Sequence, residues 1–212
     1  MSQIKVSPTR INLLKLSREL KVAKRGHKLL EDKRDGLMRE FMQIVHQTRE
    51  LRMRINKELK SVFENYISTS SLVSSRVLRS AFMHSEDVGT LDVSVKPIMS
   101  VPIPSFTMNG AAPTYSYGHL ETYGDLDRAM EKLHVIYPDL IKLAELESSV
   151  ERLAQEIERT RRRTSALEHI RIPALEEAIR FVRLRLEEQS RDAVISTMRV
   201  KDLITKKALQ EA

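Results

Sequence analysis

With 212 residues, no Cys, no Trp and only 5 % aromatic residues, the chain offers little of the aromatic area that compact cores use. The absence of Cys excludes disulfides, thiolate nucleophiles and Cys-ligated zinc. The high charged content, 31 %, is typical of long helices or coiled coils. No apolar run approaches the ~20 residues that span a bilayer, and the N-terminus lacks a signal-peptide pattern. We therefore expect a soluble, cytoplasmic protein with no direct membrane span.

The net charge of +7 is unevenly distributed. Residues 1–84 hold 18 Lys and Arg against 8 Asp and Glu, whereas residues 124–212 hold 17 of each. The excess positive charge on the N-terminal part favours an acidic partner, which can be protein, nucleic acid or a membrane surface.

The first predicted element is a long helix. Ser7 is a suitable cap and Pro8 suits the first helical position. From Leu13 to Ile55, seam positions alternate at spacings of three and four, and ten of the 13 are apolar. A stutter follows Ile55, and no strong breaker appears before about Ser85. Such a helix is roughly 110 Å long and needs a partner along its length.

The middle of the chain, residues 85–124, holds four of the seven prolines and four of the six glycines. Leu91–Val95 alternates apolar and polar residues, which predicts a strand, and the prolines after Val101 confine a second strand to an edge. We predict a small β-hairpin whose apolar residues contact a partner or serve coupling: Val93, Val95, Val101 and Ile103.

The C-terminal part is again helical. Asp125 and Asp127 suit a helix start, and we expect Pro138 to interrupt that helix and begin a long one. An apolar seam begins at Leu143, and its register shifts at Pro173, where we expect a kink.

These patterns predict an all-α fold, a long antiparallel two-helix coiled coil with a short middle insert containing the hairpin. The boundaries are 1–84 for the N-terminal coiled-coil helix, 85–124 for the insert and 125–212 for the C-terminal helical region. Within the last, the long coiled-coil helix starts at about 138 and continues to about Lys201. The termini then meet at one end and the insert forms the other.

No pattern indicates catalysis. The six histidines form no HExxH pair, Gly26-His27-Lys28 lacks the rest of a P-loop, and no GxSxG elbow is present. His27 lies on the seam, where a core or edge histidine is the simpler interpretation than a metal ligand. We therefore assign no catalytic, cofactor-binding or metal-binding residues. Gly26 and Gly36 lie inside the first helix, either as tolerated surface glycines or as points of close approach.

The densest charge cluster is a run of four arginines around one threonine in the C-terminal helix. Successive helical residues turn by about 100°, so the run forms a positive collar. Arg forks bind carboxylates well, and we take the four as a hypothetical contact with a partner, although a solvated helix face is the alternative. They are Arg159, Arg161, Arg162 and Arg163.

Two blocks of the sequence closely resemble the D subunit of the V/A-type rotary ATPases. The first comprises Ser7–Arg10 and Arg25–Asp35. The second is Glu158–Glu168, which continues through Ile172–Glu176 and Leu186–Glu188. Order, spacing and length extend the resemblance over essentially the whole chain, with a looser match in the middle insert.

The resemblance implies a non-catalytic central-stalk rotor subunit, peripheral to the membrane, without cofactors of its own. Its implied partners are the F subunit of the central stalk, the A3B3 hexamer, whose cavity the paired helices enter, and the funnel-shaped subunit on the membrane rotor ring. The shaft would couple ATP hydrolysis or synthesis in the hexamer to ion translocation. The alternative is a basic coiled-coil scaffold or nucleic-acid-binding protein, although stacking aromatics and recognition motifs are scarce.

Overall fold

The computed structural model describes residues 6–83, 89–110, 117 and 123–210, with backbone only for 207–210. It divides into two compact units, one formed by Met1–Arg34 with Arg159–Ala212 and the other by Asp35–Glu158. The elements are α1 (Arg10–Leu72), α2 (Ser75–Ala81), β1 (Thr90–Ile98), β2 (Val101–Asn109), α3 (Gly124–Ala166), a π-helical turn (Leu167–Arg171) and α4 (Ile172–Gln210).

In the first unit, the start of α1 packs against α4. Leu16 is buried with four α4 residues spaced at three and four: Leu175, Ala178, Ile179 and Val182. Farther along α1, His27 faces Glu168 in the π-helical turn. Later residues of α1 thus meet earlier residues of the C-terminal region, and the two helices run antiparallel.

In the second unit, four polar contacts record the same direction between α1 and α3. Arg52 pairs with Glu147 and Arg54 with Asp139. The later α1 residues Ser61 and Ser68 bond to Lys132 and Asp125, respectively. The residue number of the α3 partner falls as the residue number in α1 rises. The prediction of antiparallel long helices with a small middle hairpin is therefore confirmed.

The two ends of α1 differ from the sequence prediction. The cap is Thr9 rather than Ser7, because the Thr9 Oγ1 accepts the Asn12 N–H at 3.2 Å. At the other end α1 stops at Leu72, whereas the sequence predicts helix to about Ser85, a residue outside the described part. Ser70 and Ser71 hydroxyls donate to carbonyls three residues back, and Ser74 adopts an extended conformation before α2. Such side-chain bonds compete with the helix ladder.

The expected interruption at Pro138 is absent, since α3 continues through this residue. Proline removes one backbone hydrogen bond and costs about 3 kcal/mol in a helix interior. Here the flanking turns are held by an apolar cluster in which Ile136 and Ala129 of α3 are buried with Ile55 and Val62 of α1. Tertiary packing offsets the local cost.

The region of Pro173 differs in another way. The hydrogen-bond pattern changes before the proline, in the π-helical turn Leu167–Arg171, and Pro173 lies in the first turn of α4. A π-turn inserts one residue into a helix and shifts its face. This accounts for the register shift in the seam at this position.

The hairpin lies along the helices of the second unit, not at the end of the pair. Val101 and Ile103 of β2 are buried with Leu37 of α1 and Leu153 of α3. Leu37 precedes the end of α1 at Leu72 by roughly 50 Å of helix. The prediction that the insert forms the end of the helix pair is therefore wrong for Val101 and Ile103.

The turn of the hairpin explains one glycine. Met99 and Ser100 both have positive φ, 47° and 70°, as a two-residue type I′ turn requires. The Met99 side chain lies over Gly36 of α1, where an added Cβ would be 2.6 Å from the Met99 methyl carbon. Gly36 is therefore a point of close approach, whereas nothing lies within 4 Å of a Cβ added at Gly26.

Candidate interaction surfaces

The part of the chain that the structure describes contains no cluster of metal-binding type. No group of three or more His, Asp or Glu side chains there could hold a metal ion. Among the described helices, none is long and apolar enough to cross a membrane. The candidate functional features of the described residues are surfaces.

His27 forms part of the interface between α1 and the π-helical turn. Its side chain is 17 % exposed, with Nδ1 3.4 Å from Glu31 and Nε2 3.7 Å from Glu168. Both distances exceed those of a good hydrogen bond. The site has one imidazole and two partly exposed acids, which fits an interhelical contact better than a metal site.

The four arginines of the collar are all exposed, on the part of α3 that belongs to the first unit. Thr160 and Thr164 of the same stretch are buried, and the Thr164 hydroxyl donates to the Thr160 carbonyl at 2.9 Å. The threonines thus form the packed face, and the guanidinium groups occupy the rest of the circumference. This arrangement allows contact with carboxylates on more than one side. The four are Arg159, Arg161, Arg162 and Arg163.

A second basic surface lies on α1 in the first unit. Lys21, Arg25 and Lys28 are exposed and spaced by four and three, so they share one helix face. Lys24 beside them pairs with Glu176 of α4 at 2.7 Å. The positive charge that the sequence assigns to the N-terminal part is therefore displayed outward on this face.

The four hairpin residues separate into two pairs. Val93 and Val95 of β1 are 60 % and 61 % exposed, whereas Val101 and Ile103 are 5 % and 6 % exposed in the core of the second unit. The first pair is available to a partner. The second pair instead holds the hairpin on α1 and α3.

One surface was missed in the sequence, the end of α4. Every described side chain from Glu187 to Lys206 is exposed, including six large apolar ones. Val194 and Met198 share one side of the helix, whereas Val200 and Ile204 share another. An ordinary surface helix carries a single apolar stripe. The signal was present in the sequence as apolar residues that fit no single seam. The six residues are Val194, Ile195, Met198, Val200, Leu203 and Ile204.

The sequence of this chain is similar to those of known proteins. Residues 12–202 match the family model described as the ATP synthase D subunit. The V-type ATP synthase D subunit of Clostridium novyi (strain NT) is 41 % identical, over 97 % of this chain and 98 % of the relative. The D subunit of Clostridioides difficile (strain 630) is 42 % identical over 100 % and 96 %, and that of Acetivibrio thermocellus is 39 % identical over 98 % and 96 %. The chain belongs to the family of ATP synthase D subunits and is a component of an ATP synthase complex.

Proposed function

We propose that this chain is the central-stalk rotor subunit of a V/A-type rotary ATPase/ATP synthase. It couples ATP hydrolysis or synthesis in the A3B3 hexamer to ion translocation through the membrane ring. On this proposal it is non-catalytic, cytoplasmic and peripheral to the membrane. Its partners are the F subunit of the central stalk, the hexamer and the funnel-shaped subunit that connects the shaft to the ring.

The observation that carries the proposal is the exposed end of α4. From Glu187 to Lys206 it displays apolar side chains on several sides. Burying one Leu or Ile side chain is worth about 1.5–3 kcal/mol, so a helix of this kind gains most from a partner that surrounds it. The central cavity of a ring-shaped hexamer is such a partner, whereas a flat surface would cover only one side.

A shaft must also transmit torque without its paired helices sliding past each other. In both units α1 is joined to its neighbour by buried apolar clusters, around Leu16 and Val182 in one and around Ile55 and Ile136 in the other. These clusters contribute far more than the exposed ion pairs beside them, which are worth about 0.2–1 kcal/mol each.

On this proposal, the arginine collar makes weak contacts with the surrounding hexamer. Exposed Arg–carboxylate pairs are individually weak, whereas breaking a buried pair costs several kcal/mol. Side chains such as Arg159 and Arg161 that point in different directions can meet equivalent acidic loops in turn. Contacts of this strength bias the angular position of a rotor without locking it.

The test is co-purification of the tagged chain with its complex. We expect the A, B and F subunits and coupled ATPase activity. A variant that ends before Arg191 should keep the F subunit but lose the hexamer or its coupled turnover. Nanomolar, salt-dependent binding to duplex DNA with no ATPase subunits in the preparation would contradict the proposal and favour the nucleic-acid alternative.

A further inference from the structure

The two edges of the β-hairpin differ in their backbone. The Phe106 N–H of β2 donates to the Glu145 Oε2 of α3 at 3.3 Å, so this amide points away from β1. Polar backbone groups of alternate residues in an antiparallel strand point to the same side. Pro102 and Pro104, two and four residues before Phe106, therefore also face the outer edge of β2.

The outer edge of β2 is closed from Pro102 to Phe106. Pro102 and Pro104 have no N–H to offer, and Phe106 uses its N–H on Glu145. The Pro102 carbonyl accepts a hydrogen bond from Arg152 Nη1 at 3.2 Å. At the outward positions Pro102, Pro104 and Phe106, no N–H is therefore left for another strand to accept.

Among the residues that the structure describes, nothing pairs with the outer edge of β1. Its residues Leu91, Val93 and Val95 face Met108, Phe106 and Pro104 in the register, so their N–H and C=O groups point outward. Within the described residues, none of these groups has a partner. The side chains of the three are 48 %, 60 % and 61 % exposed, which leaves an apolar face beside the unpaired backbone.

Charge on this edge is also unbalanced. The Asp92 carboxylate accepts a hydrogen bond from the Asn109 amide across the hairpin, so its charge is engaged on the β2 side. Lys96 is exposed and has no ion pair among the described residues. Opposite charges on neighbouring strands stabilise their pairing, so Lys96 favours an acidic residue on an incoming strand.

We propose that the free edge of β1 receives an extended segment of another subunit of the complex as a third strand. The segment pairs through its backbone with Leu91, Val93 and Val95, lays alternate apolar side chains over theirs, and places an acidic residue near Lys96. Strand addition of this kind takes its affinity from main-chain hydrogen bonds and its specificity from alternate side chains. Pro97 sets the limit of the site, because it offers no N–H.

The inference rests on the proposed function only in requiring that the chain works inside a complex. It does not require rotation, and it adds to the hairpin a defined edge, the three residues whose backbone pairs, and a class of partner.

Hydrogen–deuterium exchange at single-residue resolution tests the proposal on the chain without any substitution. The samples are the isolated chain and the complex that co-purifies with the tagged chain. We expect the amides of Leu91, Val93 and Val95 to exchange rapidly in the isolated chain and at least about tenfold more slowly in the complex. The amides of Ser94 and Lys96, which pair with β2, are the internal control and should be slow in both samples.

The other patterns either overturn the added strand or separate it from the rotor function. Rapid exchange at the edge in a complex that contains the A and B subunits would overturn the strand and leave the rotor function intact. A protected edge in a complex without those subunits would support the strand and overturn the rotor function. Protection already present in the isolated monomer would assign the edge to this chain's own segment. Protection that appears only as the isolated chain dimerises would assign it to a second copy.

A pair of variants separates backbone from side chain. Val95→Pro removes one edge N–H and places a proline opposite Pro104, as Pro97 already stands opposite Pro102. Val95→Thr keeps the N–H and the branched shape. We expect the proline variant to lose about tenfold in affinity for the partner subunit and the threonine variant less than about threefold. Equal losses, or no loss in either, would contradict backbone pairing.

Discussion

Two stretches of the same helix, α4, have opposite surroundings. In Ile172–Leu186 the residues Leu175 and Val182 are almost completely buried against α1. In Glu187–Lys206 every described side chain is exposed, although Ile195 and Leu203 are as apolar as those of the first stretch. The difference shows that the apolar side chains of α4 are buried only where α1 packs against them. The first stretch stabilises the chain, and we infer that the second is completed by another subunit.

The largest expected effect is in the packed stretch. Leu175→Ala should lower the free energy of unfolding by about 2–5 kcal/mol, because Leu175 is 1 % exposed and its truncation leaves a cavity. Urea unfolding followed by far-UV circular dichroism measures it. A loss below about 0.5 kcal/mol, the range of ordinary surface substitutions, would mean that the cluster does not hold the pair together.

In the exposed stretch, substitutions should weaken assembly and leave the stability of the chain almost unchanged. Ile195→Ser combined with Leu203→Ser should change the free energy of unfolding by less than about 0.5 kcal/mol per site. Assembly with the A3B3 hexamer should fall by at least about tenfold, since each side chain is worth about 1.5–3 kcal/mol when buried. Titration of hexamer onto the immobilised chain measures assembly. Normal assembly of this variant would remove the contrast between the two stretches.

A smaller effect is expected at the arginine collar, which is exposed but charged. Changing Arg159, Arg161, Arg162 and Arg163 to Glu should weaken hexamer assembly or coupled turnover several-fold, and more so at low salt, where screening is weakest. Binding of the F subunit should be unaffected.

The matched control for the collar is the same quadruple change to Lys, which keeps the charge and loses the fork. Hexamer assembly of the Lys variant should stay close to that of the parent if charge alone matters. It should lie between the values of the parent and the Glu variant if bidentate contacts contribute. If the Glu variant assembles and turns over like the parent at low ionic strength, the collar is an ordinary solvated face.

The smallest effect is expected at two glycines of α1, Gly26 in an open position and Gly36 beneath the hairpin turn. Gly26→Ala should stabilise the chain by about 0.5–1 kcal/mol, because Ala favours helix and the site is open. Gly36→Ala should gain less or lose stability, because the new methyl group would displace Met99 of the hairpin turn. Thermal unfolding of both variants, each with and without Met99→Ala, measures the difference. Equal gains would show that the hairpin does not press on α1.

The helix pair could be predicted from the sequence because three-four spacing over many turns determines which face each helix buries. Local signals were less reliable. Pro138 is a helix breaker in isolation, but the buried cluster around Ile136 and Ile55 keeps α3 continuous. Conversely, no proline or glycine marks the end of α1, which lies in a serine-rich stretch where Ser74 adopts an extended conformation.

The surfaces were harder to predict than the elements. Alternation placed the hairpin correctly at Val93 and Val95, but it could not show that Val101 and Ile103 fold back onto the helices at Leu37, because that contact spans distant parts of the sequence. The open edge of β1 depends on which backbone groups point outward. The bond from Phe106 to α3 reveals that orientation.

The central claim, that this chain turns inside a complex, can be observed directly. The sequence contains no Cys, so Lys57→Cys on the exposed surface of α1 gives a single attachment point for a rotation probe. With the hexamer fixed to a surface, we predict that addition of ATP drives the probe in one direction, and that omission of ATP stops it. A probe that stays still while the same complexes hydrolyse ATP would contradict the account.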